Sequence, residues 1–108
     1  MKPAENSNRG QGIEVTKSLN MIKNKVNTQK KLIVQYYIRN LMLYNNRKFD
    51  MRTYMMAMTI NGRIKLFWYE EGYIRTSSEI YDEDNLADAF IHLTNDAVQK
   101  NGENYGLY

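Results

Sequence analysis

Asn61–Gly62 stands between two long β-prone runs, Phe49–Ile60 and Arg63–Glu70. Both central residues of a type I′ turn need positive φ, which Asn and Gly tolerate best, and the twist of that turn matches the strands it joins. The two runs are therefore expected to pair as an antiparallel hairpin. Gly72 is expected to break the second strand, leaving Tyr73–Ser77 as one more short strand. Upstream, Lys31–Ile38 is dense in β-branched and aromatic residues and reads as a buried strand. Ile13–Thr16 reads as a short apolar strand. Ser18 is placed to cap a helix reaching about Val26, with Leu19, Ile22 and Val26 at helical spacing. The polar stretch Met1–Gly12 reads as a loop, Asn27–Lys30 as a turn and Arg39–Asn46 as a connection. Tyr81–Asp88 is an acidic loop, Asp88–Lys100 a loop followed by helix, and the tail from Asn101 turn-like.

The size bounds what these elements can build. A chain of 108 residues is one domain or part of one, and a chain this long buries roughly 65% of its unfolded surface, enough for a modest core. Its beginning and end both read as the middle of something larger, so the expectation is a slice of a bigger domain spanning residues 1–108. With no cysteine, disulfides, thiolate metal sites and a thiol nucleophile are excluded. A net charge of +3 is too small to argue for nucleic acid but favours acidic partners. No apolar run approaches the roughly 20 residues that span a bilayer, and the first residues lack the apolar core of a signal peptide. A cytoplasmic protein is the expectation, with no nucleic-acid or membrane partner.

Side chains alternate along a strand, so Lys48, Asp50 and Arg52 share one face. Two cations and a carboxylate there suit a charged, metal-bound ligand such as a nucleotide phosphate; the alternative is a surface salt-bridge ladder. Lys2–Ile13 holds glycines that let a backbone wrap phosphate oxygens, with Lys2 and Arg9 as cations, but it lacks the Walker A pattern and reads equally as a surface loop. Gln35–Ile38 could present backbone groups to a base edge or simply continue a strand. Arg75, beside Thr76, Ser77 and Ser78, is either a carboxylate or phosphate clamp or an exposed turn residue. His92 is the only histidine. Between Ile91 and Leu93, with no HxxxH spacing, it reads as a hydrogen-bonded structural residue and not a metal ligand. Thr94 and Asn95 are placed to cap a helix or, for Asn95, to orient a ligand. No Ser–His–Asp or Cys–His arrangement is present.

The order of these pieces carries more than any one of them. KPAENSNRGQGI (Lys2–Ile13), VQYYI (Val34–Ile38), RKFDMRTY (Arg47–Tyr54), YEEGYIRTSSEIY (Tyr69–Tyr81), DNLADAFIHLTNDAVQK (Asp84–Lys100) and NYG (Asn104–Gly106) together cover nearly the whole chain. The series resembles the tubulin–tyrosine ligase-like family. That resemblance implies an α+β, ATP-grasp-like fold, here a partial domain with an antiparallel sheet and flanking helices. It implies an ATP-dependent ligase that adds glutamate, glycine or tyrosine to acidic tubulin tails through an acyl phosphate, with ATP, Mg²⁺, a free amino acid and tubulin or microtubules as partners. EGYIRTSS lies nearer the tyrosine-adding member, although glutamate- and glycine-adding relatives share most of these motifs. A cytoskeletal location, with cilium or basal body as possibilities, is implied in the same way.

Carried onto this sequence, Lys2 resembles the lysine that reaches the ATP phosphates, and residues 8–12, with Arg9, Gly10 and Gly12, the loop that closes over them. Gln35 and the backbone of Tyr36, Tyr37 and Ile38 match the adenine hinge, with Tyr36 where the family usually has lysine. Lys48, Asp50 and Arg52 match the phosphate-side strand, and Thr94 and Asn95 the segment lining the active site. Arg52 and Arg75 are the expected catalytic cations, Arg75 near the reacting carboxylate. The acidic motif that ligates Mg²⁺ in the family is expected outside residues 1–108, so this chain alone is expected to have little catalytic power. The alternatives are an inactive family member that docks on microtubules or axonemes, and an ATP-grasp ligase acting on a small amino acid or peptide.

Overall fold

A computed structural model describes residues 1–5, 8–28 and 31–107. Its elements in chain order are β1 (Lys2–Pro3), α1 (Leu19–Thr28), β2 (Leu32–Ile33), β3 (Leu43–Tyr44), β4 (Arg47–Ile60), β5 (Arg63–Thr76), α2 (Ala89–His92) and α3 (Asp96–Gln99). All strand pairing is antiparallel, β1 with β2 and β3–β4–β5 in that order. The architecture is a small α+β one with few helices.

The hairpin forms where Asn61–Gly62 requires it, with φ of 50° and 73° at the two turn residues. Its register runs evenly from Ile60↔Arg63 to Tyr54↔Tyr69 and then slips, resuming at Arg52↔Tyr73. Gly72 sits at the slip. A Cβ there would lie 2.6 Å from the Arg52 carbonyl oxygen, so glycine lets the two backbones close up without ending the strand. The expected break at Gly72 is thus a bulge in one continuous β5. A second tight turn joins β3 to β4. Asn45 and Asn46 have φ of 49° and 58°, so the expected connection over 39–46 ends in its own short hairpin.

Two other strand expectations fail. Residues 13–16 are not a strand. The Ile13 N–H bonds Gly10 O at 3.3 Å, and Met1 and Glu14 exchange backbone hydrogen bonds that close the first segment into a loop. Of the expected buried strand 31–38, only β2 is a strand, and Val34, Tyr36 and Ile38 are exposed. Apolar density there signals a surface that wants cover, yet among the described residues the two of β1 are its only strand partner. Helix α1 begins after Ser18, whose Oγ accepts the Met21 N–H at 3.3 Å. It takes in Asn27 and Thr28 of the expected turn, whose Gln29 and Lys30 lie outside the described residues, as do Asn6 and Ser7 of the first loop. Residues 88–100 form two short helices, α2 and α3, instead of one.

The expected modest core is not found among the described residues. Among the described residues Ile91 is the one buried hydrophobic side chain, while Arg47, Ser77, Ser78, His92 and Gln99 are buried polar groups. Every residue from 51 to 74 is exposed, because the β4–β5 ribbon projects from the rest. The radius of gyration is 17.3 Å, against about 13 Å for a compact chain of this length. Met55, Leu66 and Trp68 as well as Met56, Met58 and Phe67 are exposed on it, so both faces of the ribbon are apolar. A lone two-stranded ribbon is marginal in water, and apolar patches of this kind mark contact surfaces.

Candidate functional site

The base of the hairpin, where β4 enters the ribbon, is where the buried residues gather. Its frame is polar and mostly hydrogen-bonded, although the buried Ser78 Oγ has no partner. Ser77 exchanges hydrogen bonds with Lys48, N–H to Lys48 O at 2.8 Å and Oγ from the Lys48 N–H at 3.1 Å. The Arg47 guanidinium donates to Ser78 O. The Gln99 carboxamide accepts the Ser78 N–H at 2.7 Å and donates to Phe90 O at 3.1 Å and Leu93 O at 2.5 Å. These bonds clamp α2 and α3 onto the start of β4 and the end of β5.

On this frame the β4 charges sit as alternation requires. Asp50 pairs across the ladder with Arg75. The guanidinium is bidentate, with Nε donating to Oδ1 at 2.9 Å and Nη2 to Oδ2. Hydrogen bonding from Arg75 holds the Asp50 carboxyl below the usual carboxylate range, helped by Thr94 and the charge of Arg52 and opposed by partial burial. The same bond raises Arg75. Lys48 is half-buried, and that burial lowers its pKa, with Asp50 opposing. Its Nζ donates to His92 O at 2.8 Å and to the Tyr37 hydroxyl at 3.1 Å. Arg52, one step further along, is exposed.

The segment 92–95 links these charges to the first loop. His92 supplies its carbonyl to Lys48, Thr94 reaches Asp50, and Asn95 and Val98 meet Gly10. A Cβ on Gly10, at φ +83°, would stand 2.8 Å from Val98 Cγ2 and 3.0 Å from Asn95 Oδ1. Only glycine lets this loop lie so close to α3. Arg9, Gly10 and Gln11 line a hollow of about 320 Å³ with Phe90, Ala97, Val98 and Asn101. A larger cleft of about 520 Å³ opens beside Arg75, bounded by Tyr73, Thr94, Asp96, Asn104 and Tyr105.

Lys48, Asp50, Arg75, Thr94, Asn95 and Gly10 are therefore brought together, and Arg9 flanks them. Lys2 lies on β1, opposite Ile33 in the other sheet, and Gly12 packs on Pro3. Gln35, Tyr36 and Ile38 are exposed, and Tyr37 alone of that segment turns inward. Asn95 precedes α3 but makes no side-chain cap bond. His92 is 2% exposed, with both ring nitrogens hydrogen-bonded. The buried polar frame, Arg47, Ser77, Ser78 and Gln99, was not expected to matter; only the density of hydroxyls after Arg75 hinted at it.

A half-buried ammonium and a glycine loop in close approach fit a polyphosphate. Among the described residues no group of three or more His, Cys, Asp or Glu side chains is arranged to hold a metal ion. Among them, too, no helix is long and apolar enough to cross a membrane.

The sequence profile described as Tubulin-tyrosine ligase family matches residues 1–108. Similar proteins include Tubulin glycylase 3B of Drosophila melanogaster, 39% identical over 106 residues, covering 96% of this chain and 14% of that protein. Tubulin glycylase 3D of Tetrahymena thermophila is 38% identical over 101 residues, 93% of this chain and 10% of that protein. Tubulin polyglutamylase TTLL7 of Homo sapiens is 35% identical over 108 residues, 97% of this chain and 12% of that protein. No solved structure matches. The chain belongs to the tubulin-tyrosine ligase family, as its motifs led one to expect. It spans about a tenth of the length of the curated relatives it matches.

Proposed function

We propose that this chain forms the phosphate-facing wall of a nucleotide cleft in an ATP-grasp-like ligase that adds an amino acid to acidic tubulin tails. In that reaction a tail carboxylate oxygen attacks the γ-phosphorus of ATP and ADP leaves. The amine of the incoming amino acid then attacks the acyl carbon, phosphate leaves, and the nitrogen loses a proton. Lys48 and the loop around Gly10 bind the polyphosphate, and Gln35–Ile38 lie on the base side. Arg52 and Arg75 offset the negative charge that gathers as carboxylate and phosphate meet. Thr94 and Asn95 line the cleft. Lys2 reaches the phosphates, and Arg9 and Gly12 belong to the loop that closes over them. Mg²⁺ is a co-reactant whose ligands come from outside these residues.

The observation that carries this reading is the cluster at the base of the hairpin. Lys48, the Asp50–Arg75 pair and the Gly10 loop all meet the one segment 92–95, in a chain similar to tubulin glycylases and polyglutamylases. A net charge of +3 adds a weak attraction for acidic tails at low salt, consistent with a cytoskeletal location. The test is mass spectrometry of tubulin tails after incubation with the full-length protein, ATP and glycine, glutamate or tyrosine in turn. A mass increment matching one amino acid, dependent on ATP, is expected. No increment with any of them, on any tubulin, refutes the ligase assignment.

A further inference from the structure

Lys48 does not reach its position alone. A lysine ammonium has three N–H donors on a flexible stem. Here two are taken, one by the His92 carbonyl at 2.8 Å and one by the Tyr37 hydroxyl at 3.1 Å, and Nζ lies 4.6 Å from the Tyr37 ring centroid. The Tyr37 hydroxyl is itself fixed, 2.9 Å from His92 Nδ1. His92 Nε2 lies 2.9 Å from Asn85 O. A carbonyl can only accept, so Nε2 carries the hydrogen, and in the neutral ring Nδ1 holds the lone pair. Tyr37 must then donate to Nδ1 and receive Lys48 on its oxygen. Burial first, then Tyr81 and Glu83, push the Tyr37 phenol up, which keeps that proton on it. The ring of His92 is held edge-on by Tyr37 at 5.6 Å and Tyr81 at 5.8 Å. The chain of donors runs one way, Lys48 to Tyr37 to His92 to Asn85.

We infer that Tyr37 and His92 are positioning residues for Lys48, holding its ammonium at a set point so that one N–H remains for a phosphate oxygen of the nucleotide. This rests on the nucleotide reading above and goes beyond it, because the relay ties the segment 35–38, assigned to the base side, to the phosphate side through side chains and not only backbone. An ammonium already held in place loses less freedom on binding than a free one.

The test is calorimetric titration of ATPγS and of adenosine into the full-length protein, as wild type, Tyr37→Phe, Lys48→Met and the double variant. Phenylalanine keeps the ring and removes only the hydroxyl. Tyr37→Phe is expected to weaken ATPγS about five- to tenfold, the size of one hydrogen bond to a charged group, while adenosine stays within about twofold. Lys48→Met weakens ATPγS further, and in that background Tyr37→Phe adds little, because its effect passes through the missing ammonium. An equal loss for adenosine and ATPγS overturns the inference, since a scaffold role touches both. So does a Tyr37→Phe effect undiminished beside Lys48→Met, or none at all while Lys48→Met still weakens binding. ATPγS binding unchanged by Lys48→Met overturns the nucleotide reading itself, and the inference with it.

Discussion

Replacing Asp50 by asparagine tests the geometry at the base of the hairpin, because the change keeps size and removes charge. In the native arrangement Arg75 grips both carboxylate oxygens from directly across the ladder. At an effective dielectric near 20, unit charges about 4 Å apart attract by ~4 kcal/mol before desolvation is counted. The two side chains are 22% and 39% exposed, so solvent screens the pair and partial burial takes back much of the rest. The net contribution then lies between that of an exposed pair and a buried one, about 1–2 kcal/mol. Asparagine can accept on one oxygen only and turns an NH₂ toward the guanidinium. The sign of the pH effect follows from the carboxyl being held below its ordinary value. The stabilisation is complete above the unfolded Asp pKa of about 3.9 and is lost as pH falls through the lower folded value. Urea denaturation of the full-length wild type and Asp50→Asn should therefore differ by about 1–2 kcal/mol at pH 7 and at pH 5 and converge below about pH 4. An equal difference at pH 7 and pH 3, or none at pH 7, would show that the ion pair does not set the local stability.

Other changes read different parts of the same frame. Gln99→Leu strips partners from the Ser78 N–H and the Phe90 and Leu93 carbonyls, and should lower stability by about 2–4 kcal/mol in the same denaturation experiment; a loss under about 0.5 kcal/mol would mean these groups find other partners. Gly10→Ala forces a Cβ against Val98 and Asn95 at positive φ, at a cost of about 1–2 kcal/mol to the loop. The KM for ATP should rise about three- to tenfold with little change in melting temperature, and an unchanged KM would remove the loop from the nucleotide site. Arg75→Ala removes the cation nearest the large cleft and leaves Asp50 without its bidentate partner. The kcat/KM of ligation should fall by about tenfold or more, and an unchanged value rejects the catalytic role.

What could be read from the sequence divides along physical lines. Asn61–Gly62 announced the hairpin because its signal is local, a backbone conformation that few residue pairs accept. Asn45–Asn46 makes the same kind of turn but looks like a plain connection in sequence, since β3 is only two residues long and offers no alternating run to frame it. The shared face of Lys48 and Asp50 followed from strand periodicity alone. Residues 31–38 misled because β-branched density records the need for a covering surface, whether or not one lies within these residues. Gly72 misled because a glycine that breaks a strand and one that lets two backbones meet look alike in sequence. The frame of Ser77, Ser78, Gln99 and Arg47 stayed hidden for a different reason. Buried polar groups satisfied by distant backbone atoms leave no periodic trace, and His92 could be read as structural without its partners, Tyr37 and Asn85, being named.

The most direct test is a crystal structure of the full-length protein with a non-hydrolysable ATP analogue. A phosphate oxygen about 3 Å from Lys48 Nζ, with the Gly10 loop beside the same polyphosphate, is the predicted result. Nucleotide bound elsewhere, with Lys48 still turned to Tyr37 and His92 alone, would contradict the assignment of this wall.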